Sequence, residues 1–300
     1  MRPVSTQKMR AGEIGINAGL VGRLVARRFP AWAGLPVTRL TSSGTENAMF
    51  RLGPELVVRL PRHPGAVADV THERDWLPRL APGLPVAVPE PVGSGEPDDG
   101  FPWPWSVYRW LEGANPVAGA VKQPERLAKE LGTFVATLRR SAAVDAPPGY
   151  RGGPLSGREG SVREALAQLG DRLDTAEAAA RWERALAAPA YTGPPVWSHG
   201  DLSPGNVLVG GGGSLSAVID FGCAGVGDPA VDLIVAWNLL PASARTAFRE
   251  AVGADDAEWA RGRGWALSVA LVQLPYYWRT NPVLAQNARH TIGEVLAESA

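Results

Sequence analysis

One polar run next to two short apolar segments restricts the fold of this chain more than any other feature of its sequence. Asp201 and Asn206 stand five positions apart on a loop that leads into Val207–Val209. The apolar residues 217–219 follow after a glycine-rich turn, so the pattern predicts a β-hairpin. Asp220 comes directly after the second segment. Because the two ends of a hairpin lie side by side, we expect these three polar side chains to converge at one mouth.

Two carboxylates and an amide at one point match the needs of phosphoryl transfer. One carboxylate orients and deprotonates an acceptor hydroxyl, while an amide oxygen and a second carboxylate hold magnesium against a triphosphate. Mg²⁺ suits such oxygen ligands because it keeps several waters and takes only a few groups from the protein. His199-Gly200-Asp201 or Asp220-Phe221-Gly222 alone is more often a turn, but their combination predicts a phosphoryl-transfer site.

The first third of the chain has the pattern of a small antiparallel sheet. Asn17 precedes a run with helical spacing, which predicts a capped helix that ends before Pro30. Short apolar segments then alternate with turn residues, as is typical of a meander. Val67–Leu80 has helical periodicity, with Pro78 at a kink or at the end. The predicted strands are residues 37–40, 48–52, 56–60, 88–92 and 105–110.

The character of the sequence changes after residues 111–115, which we interpret as a hinge. Segments rich in Ala, Leu and Arg follow with helical periodicity. The predicted helices are residues 124–141, 161–169 and 174–188, with more helices up to residue 300. The sequence therefore predicts an α+β fold with two lobes, at residues 1–110 and 116–300, on either side of this hinge.

The motifs of the chain resemble those of the aminoglycoside phosphotransferase and choline kinase-like family. The C-terminal half carries His199-Gly200-Asp201-x-x-x-x-Asn206, Asp220-Phe221-Gly222 and Gly227-Asp228-Pro229-Ala230-x-Asp232-Leu233. The N-terminal part carries Ser43-Gly44-Thr45-Glu46-Asn47, Val58-Arg59-Leu60-Pro61-Arg62 and Glu73-Arg74-Asp75-Trp76-Leu77. The resemblance covers about residues 37–240. It implies a bilobal protein-kinase-like fold, with a small antiparallel β N-lobe that has one main helix and a larger, mostly helical C-lobe. The N-terminal lobe at 1–110 would bind the nucleotide, and the C-terminal lobe at 116–300 would be the catalytic and acceptor-binding lobe.

The same resemblance implies roles for the residues of the C-terminal motifs. Asp201 would act as the catalytic base, and Asn206 and Asp220 would be the ligands of Mg²⁺. We expect His199 to brace the loop by hydrogen bonds rather than to transfer protons. Asp228 and Asp232 are expected to cap a helix and to support the catalytic loop, since Asp228-Pro229 is a good helix start.

The resemblance further implies that the N-terminal lobe binds the phosphoryl donor, ATP or GTP. The implied cofactor-binding residues are Ser43, Gly44, Thr45, Arg59, Glu73, Trp110 and Leu111. The turn departs from the protein-kinase pattern because it has one glycine, Gly44, and its alternative is an ordinary hairpin turn. Arg59 stands where kinases place a phosphate-binding Lys, and it can pair with phosphate bidentately. Glu73, on the following helix, is its expected ion-pair partner. The alternative is that Arg59 is a solvated strand residue and Glu73 a charge on a helix face.

Composition limits the remaining classes of function. The 30 Lys and Arg residues balance 30 Asp and Glu residues, which gives no global field for nucleic acid or an anionic membrane. The single cysteine, Cys223, permits no internal disulfide, and no apolar stretch is long enough for a membrane span. We therefore expect a cytoplasmic protein without a nucleic acid, membrane or obligate protein partner.

The sequence leaves the small-molecule hydroxyl acceptor open. An aminoglycoside or another antibiotic is one candidate, and Tyr276, Tyr277 or the acidic group Asp255, Asp256 and Glu258 could line its site. A metabolic amino alcohol or sugar is a second candidate. A nucleotide-binding regulatory module that has lost turnover is the alternative from a different class, and only Arg59 and the sparse glycine turn point to it.

Overall fold

The computed structural model describes residues 14–41, 44–98 and 100–298, and the chain divides into two units. The first unit consists of the residues up to Pro82 together with Val88–Leu111. The second consists of Gly83–Ala87 and the residues from Glu112 onward. We describe each unit by itself.

The first unit is built on one five-stranded sheet. Its elements are α1 (Ala18–Arg28), β1 (Val37–Arg39), β2 (Asn47–Leu52), β3 (Leu56–Pro61), α2 (Val67–Leu80), β4 (Pro91–Gly95) and β5 (Trp105–Arg109). The strand order is β1-β2-β3-β5-β4, and every neighbouring pair is antiparallel. The predicted meander and both predicted helices are confirmed, and Pro78 lies in the last turn of α2.

The prediction of a strand at residues 88–92 was wrong in position, since β4 begins at Pro91 and ends at Gly95. Proline has no N–H to donate to a strand ladder. Pro85 and Pro89 stand on either side of the apolar residues 86–88, so these residues cannot form a continuous ladder. The Glu90 carbonyl accepts from the Arg109 N–H at 3.0 Å, and the ladder with β5 begins at Pro91, with an irregular register between Pro91 and Gly93.

The core of the first unit lies between α1 and one face of the sheet. Asn17 caps α1 by accepting a hydrogen bond from the Leu20 N–H, at 2.9 Å. The apolar side of the helix packs on alternate strand residues, as the period of two requires. The members of this core include Leu20, Val21, Leu24, Val25, Phe50, Leu52, Val58 and Leu60.

The second unit is mainly helical and contains two small antiparallel ladders. Its helices are α3 (Pro124–Leu138), α4 (Glu159–Leu169), α5 (Thr175–Leu186), α6 (Val235–Asn238), α7 (Ala242–Val252), α8 (Asp256–Tyr277) and α9 (Pro282–Ala297). Its strands are β6 (Val196–Ser198), β7 (Val207–Val209), β8 (Leu215–Val218) and β9 (Gly225–Gly227). The ladders pair β7 with β8 and β6 with β9. Within the described ranges, no helix is long and apolar enough to cross a bilayer.

The predicted hairpin after residues 199–206 is confirmed, with a small shift. Its second strand covers Leu215–Val218 rather than residues 217–219, because Val209 pairs with Leu215 across a register irregularity. The third helix of the predicted set runs from Thr175 after the cap Asp174. Sequence patterns did not predict β6 and β9, which have three residues each.

The loop at residues 147–152 lies directly against β9. The Val226 N–H donates to the Pro147 carbonyl at 2.9 Å, and the Gly149 N–H donates to the Val226 carbonyl at 3.0 Å. A Cβ on Gly227 would lie 2.3 Å from the carbonyl oxygen of Gly152. Two backbones thus approach each other at a distance that only glycine permits.

We expect Gly227→Ala to lower the free energy of unfolding by about 1–3 kcal/mol, because its methyl group would overlap backbone atoms of Gly152. Urea denaturation followed by tryptophan fluorescence measures this change. Gly153→Ala is the matched control, since a Cβ there has no atom within 4 Å. Equal stability of the two variants would show that the backbone approach is looser than described.

Candidate active site

A buried carboxylate holds the backbone of residues 199–206, the predicted catalytic loop. Asp232 accepts hydrogen bonds from the N–H groups of His199 and Gly200, both at 2.8 Å. Burial raises the pKa of Asp232, and these two backbone hydrogen bonds act in the opposite direction. The predicted support of the loop by Asp232 is therefore confirmed.

The neighbouring Asp228 also has the expected structural role. It caps the short helix Pro229–Ile234 by accepting from the Ala230 N–H at 3.0 Å. Its carboxylate pairs with Arg261 of α8 at 2.9 Å, and both side chains are 7% exposed. The segment that carries Asp232 is thereby tied to the longest helix of the described unit.

Gly200 gives the loop a turn that other residues would not adopt without strain. Its φ is +77°, and a Cβ there would lie 2.7 Å from the Cys223 carbonyl oxygen. A side chain at this position would therefore both strain the backbone and displace the segment after Asp220. The geometry of the loop therefore explains why a glycine stands in the middle of the His-Gly-Asp motif.

His199 braces the loop, as predicted. Its Nδ1 accepts from the Asp201 N–H at 3.2 Å, and its Nε2 lies 3.0 Å from the Ile219 carbonyl oxygen. These partners assign the tautomer in which Nε2 carries the proton and donates. The ring is fully buried. With both nitrogens engaged, it joins the loop to the hairpin.

Both carboxylate oxygens of Asp201 accept hydrogen bonds. Arg151 Nη1 donates to Oδ1 at 2.8 Å, and Asn206 Nδ2 donates to Oδ2 at 3.1 Å. The Asp201 side chain is 30% exposed. Each carboxylate oxygen can accept a second bond. Asp201 is therefore held in place and can still meet an acceptor hydroxyl.

Asn206 and Asp220 lie at adjoining ends of the loop and the hairpin. The Ile219 N–H donates to the Asn206 carbonyl at 2.9 Å, which places the following residue beside the loop. Asn206 Nδ2 also donates to the Asp201 backbone carbonyl at 2.9 Å. Since the Asn206 amide nitrogen is directed at Asp201, the Oδ1 atom of Asn206 is directed away from Asp201. An oxygen in this position suits a hard cation.

Asp220 has a left-handed backbone conformation, with φ +68° and ψ +69°. Only Asp145 among the other described non-glycine residues has a positive φ. Asp and Asn tolerate this region better than most residues, but it still costs free energy. The strain directs attention to Asp220 as a functional position.

Three polar residues of the site were not found from the sequence. Asn115 Nδ2 donates to the carbonyls of Gly205 and Val207, both at 2.9 Å, and Asn238 Nδ2 donates to the Leu202 carbonyl at 2.7 Å. Arg151 is the third. No spacing links these residues to the loop, and the only available signal is the set of glycines around Arg151.

A buried polar cluster occupies the first unit, on β3, β5 and α2. Arg59 Nη1 donates to both carboxylate oxygens of Glu73 at 2.7 Å, which confirms the predicted ion pair. Tyr108 donates to Glu73 Oε2 at 2.6 Å. Burial, with Glu73 next in importance, raises the pKa of Tyr108 well above its ordinary value. The Arg59 side chain is 7% exposed, and that of Glu73 is fully buried.

Asn47 on β2 contacts the other edge of the Arg59 guanidinium. With its amide oriented to match its neighbours, Oδ1 accepts from Nε and Nη2 at 3.0 and 2.9 Å. The fork of Arg59 therefore faces protein groups on two sides. This environment differs from that of a solvated strand residue.

The remaining donor-binding predictions concern the turn and the segment before Glu112. Ser43 lies outside the described residues. Thr45 is buried and donates to Glu46 at 3.0 Å. The Trp110 N–H donates to the Glu55 carbonyl at 2.7 Å, and the Arg51 guanidinium lies 3.7 Å from the centre of its ring. The donor-binding roles of Gly44, Thr45, Trp110 and Leu111 stay predictions.

The acidic group at the start of α8 is engaged in structural contacts. Asp255 caps the helix by accepting from the Glu258 N–H at 2.7 Å. Glu258 pairs with Arg139 at 2.5 Å, and Asp256 pairs with Arg249. Burial raises the pKa of Glu258, while Arg139 acts to lower it. Asp256 and Glu258 thus already have cationic partners.

Comparison with known proteins places this geometry in a family. The model of the phosphotransferase enzyme family matches residues 37–265. No curated protein matches the chain by sequence.

Solved structures resemble the whole chain at low identity. The GDP and kanamycin complex of an APH(2″) enzyme has a TM-score of 0.75 at 20% identity, over 92% of this chain and 98% of that one. The GDP complex of aminoglycoside 2′-phosphotransferase-IIIa has a TM-score of 0.73 at 20% identity, over 94% and 99%. Macrolide 2′-phosphotransferase MphH from Brachybacterium faecium has a TM-score of 0.62 at 23% identity, over 94% and 99%. The predicted fold class is confirmed.

We expect Arg59→Met to lower the free energy of unfolding by about 3–5 kcal/mol, because it leaves the Glu73 charge buried without its partner. The double variant Arg59→Met, Glu73→Gln removes that charge and keeps an acceptor for Tyr108. It should recover at least about 1 kcal/mol of the loss. Urea denaturation of both variants tests this, and an equal loss in both would contradict a stranded charge at Glu73.

Proposed function

The chain belongs to the phosphotransferase enzyme family, and on this premise we propose that it transfers the γ-phosphate of a nucleoside triphosphate, ATP or GTP, to a hydroxyl group of a small molecule. The observation that carries the proposal is the fixed orientation and partial exposure of the Asp201 side chain. Its carboxylate is fixed by two donors and remains 30% exposed beside Asn206. A carboxylate that is oriented in advance and open to solvent on one side suits the role of a general base.

In the proposed mechanism, Asp201 accepts a hydrogen bond from the acceptor hydroxyl and so orients its oxygen. This oxygen forms a bond to the γ-phosphorus while the bond from phosphorus to the β–γ bridging oxygen breaks. The hydroxyl proton passes to the Asp201 carboxylate, and the nucleoside diphosphate is the leaving group. His199 takes no part in proton transfer because both its ring nitrogens are engaged.

The groups at the mouth of the hairpin fit Mg²⁺. Asn206 Oδ1 and the Asp220 carboxylate would hold the ion, which when bound neutralises charge on the phosphates. Among the described residues, no cluster of three or more His, Cys, Asp or Glu could hold a metal by itself. A site with few protein ligands is what Mg²⁺ requires when phosphates and water complete its shell.

We assign the donor-binding role to Ser43, Gly44, Thr45, Arg59, Glu73, Trp110 and Leu111 by their place in the family's motifs. The contact of Arg59 with Glu73 supports a fixed guanidinium at the position of the phosphate-binding cation. A guanidinium that is held in one orientation loses less freedom when it binds phosphate.

For the acceptor, we propose an antibiotic hydroxyl first, since kanamycin and a macrolide phosphotransferase appear among the similar structures. One observation favours a second candidate, a neutral or weakly charged metabolic alcohol. A polycationic aminoglycoside calls for carboxylates, and Asp256 and Glu258 already pair with arginines. Assays with ATP and GTP across kanamycin, a macrolide, an amino alcohol and a sugar test both candidates by detecting the phosphorylated product.

We expect Asp201→Asn to reduce turnover by at least about a hundredfold, the lower range for a positioned general base, while nucleotide binding is retained. Steady-state kinetics with an accepted substrate measure the loss, and thermal unfolding checks the fold. Asp171→Asn makes the same change at an exposed position and is the matched control. Turnover of Asp201→Asn near that of the control would remove Asp201 from its role.

We expect Asp220→Gly and Asn206→Ala each to raise the Mg²⁺ concentration needed for half-maximal turnover by at least about tenfold, since even partners that merely orient metal ligands have effects of that size. Glycine is chosen at position 220 because it adopts the positive φ without added strain. Titration of activity and of nucleotide binding with Mg²⁺ measures the change. An unaltered Mg²⁺ dependence in both variants would refute the ligand assignment.

A further inference from the structure

Arg151 contacts the catalytic base, although it belongs to none of the motifs. Its Nη1 donates to Asp201 Oδ1 at 2.8 Å and to the Gly200 carbonyl at 2.7 Å. One guanidinium nitrogen therefore joins the side chain of the base to the backbone of the preceding residue. The Arg151 side chain is only 14% exposed.

The segment that carries Arg151 is fixed by backbone contacts on both sides of that residue. The Tyr150 N–H donates to the Cys223 carbonyl at 3.3 Å, and the Asp228 N–H donates to the Gly152 carbonyl at 3.1 Å. The guanidinium also lies 5.3 Å from the centre of the Tyr150 ring. The Arg151 side chain thus extends toward Asp201 from a segment that backbone hydrogen bonds hold on both sides.

The catalytic loop itself supplies no positive charge between its two polar ends. Between Asp201 and Asn206 stand Leu202, Ser203, Pro204 and Gly205. Within the described part of the chain, the ion pair that Asp201 makes is with Arg151. A triphosphate brings several negative charges to this carboxylate, and like charges repel at short range.

We propose that Arg151 is a positioning residue for the phosphoryl-transfer reaction. It holds the Asp201 carboxylate in one orientation and offsets its negative charge when the triphosphate binds. This role rests on the proposed function, because it requires Asp201 to work beside a nucleoside triphosphate. Arginine suits the task since it remains protonated and donates in a fixed geometry.

The kinetic test compares Arg151→Gln with Arg151→Lys. Gln keeps a hydrogen-bond donor without the charge, whereas Lys keeps the charge. We expect Arg151→Gln to lower kcat by about 10- to 100-fold, the range for a displaced reacting group, with the acceptor KM changed less than about threefold. Arg151→Lys should recover at least half of that loss on a logarithmic scale. An equal loss in both variants would overturn the role of the charge.

Arg158→Gln is the matched control for the loss of a nearby positive charge. Burial, followed by the charge of Arg151, lowers the pKa of Arg158, so the two guanidinium groups are close enough to interact. The carboxylate of Asp201, however, pairs with Arg151. The Arg158 variant should keep kcat within about twofold of the unaltered protein, since it leaves the Asp201 contacts intact. A loss as large as that of Arg151→Gln would show a general effect of charge and would overturn the proposal.

The closing experiment does not depend on turnover. Calorimetry measures the affinity for a magnesium nucleoside triphosphate and for the nucleoside in Arg151→Gln, Asp201→Asn and the double variant. We expect Arg151→Gln to weaken triphosphate binding about five- to tenfold and nucleoside binding less than about twofold. In the Asp201→Asn background, the same substitution should weaken triphosphate binding less, by about two- to threefold, because only the direct attraction between Arg151 and the phosphates is lost there, whereas in the unaltered protein the released Asp201 carboxylate repels them as well.

Failure of the role of Arg151 and failure of the proposed function give different results. An equal effect of Arg151→Gln in both backgrounds, with each variant folded as judged by thermal unfolding, would overturn the coupling of Arg151 to Asp201. No product from any acceptor, together with the expected coupling in calorimetry, would count against the proposed function and leave the coupling established.

Discussion

The geometry of the catalytic loop depends on the two hydrogen bonds that the Asp232 carboxylate accepts from its backbone. A buried charge is costly unless its oxygens are satisfied, and here two consecutive backbone N–H groups satisfy them. Removing this residue would leave those N–H groups buried without partners. The segment that carries Asp232 is itself capped by Asp228, which pairs with Arg261 of α8. A continuous set of polar contacts therefore runs from the longest helix to the backbone beside the base.

The sequence predicted most of this arrangement where chemistry and local pattern coincide. The spacing of Asp201, Asn206 and Asp220 predicted a loop followed by a hairpin, and the structure brings the ends of the two together. The strands of the first unit were predicted because apolar and turn residues alternate there. The strand near Val88 was misplaced since an apolar pattern does not record which residues can donate to a ladder, and prolines cannot.

Contacts between distant parts of the chain could not be predicted in the same way. Arg151 lies 50 positions before Asp201, and no periodicity relates the two. Asn115 and Asn238 donate to loop carbonyls from other elements, and an isolated asparagine resembles any surface residue in a sequence. The Arg59 and Glu73 pair was predicted only because the family resemblance supplied it. The participation of Asn47 and Tyr108 depends on strand register, which a single sequence does not determine.

The glycine contact between the loop at 147–152 and β9 lets the chain keep one part of its structure constant while other parts change. It consists of main-chain atoms, so substitutions in the surrounding helices do not alter its spacing. The contact fixes the segment that carries Arg151, and Arg151 is one of the two donors that orient the Asp201 carboxylate. Helical side chains other than Arg261 and Asn238, which hold the loop, can therefore vary while this main-chain spacing is kept.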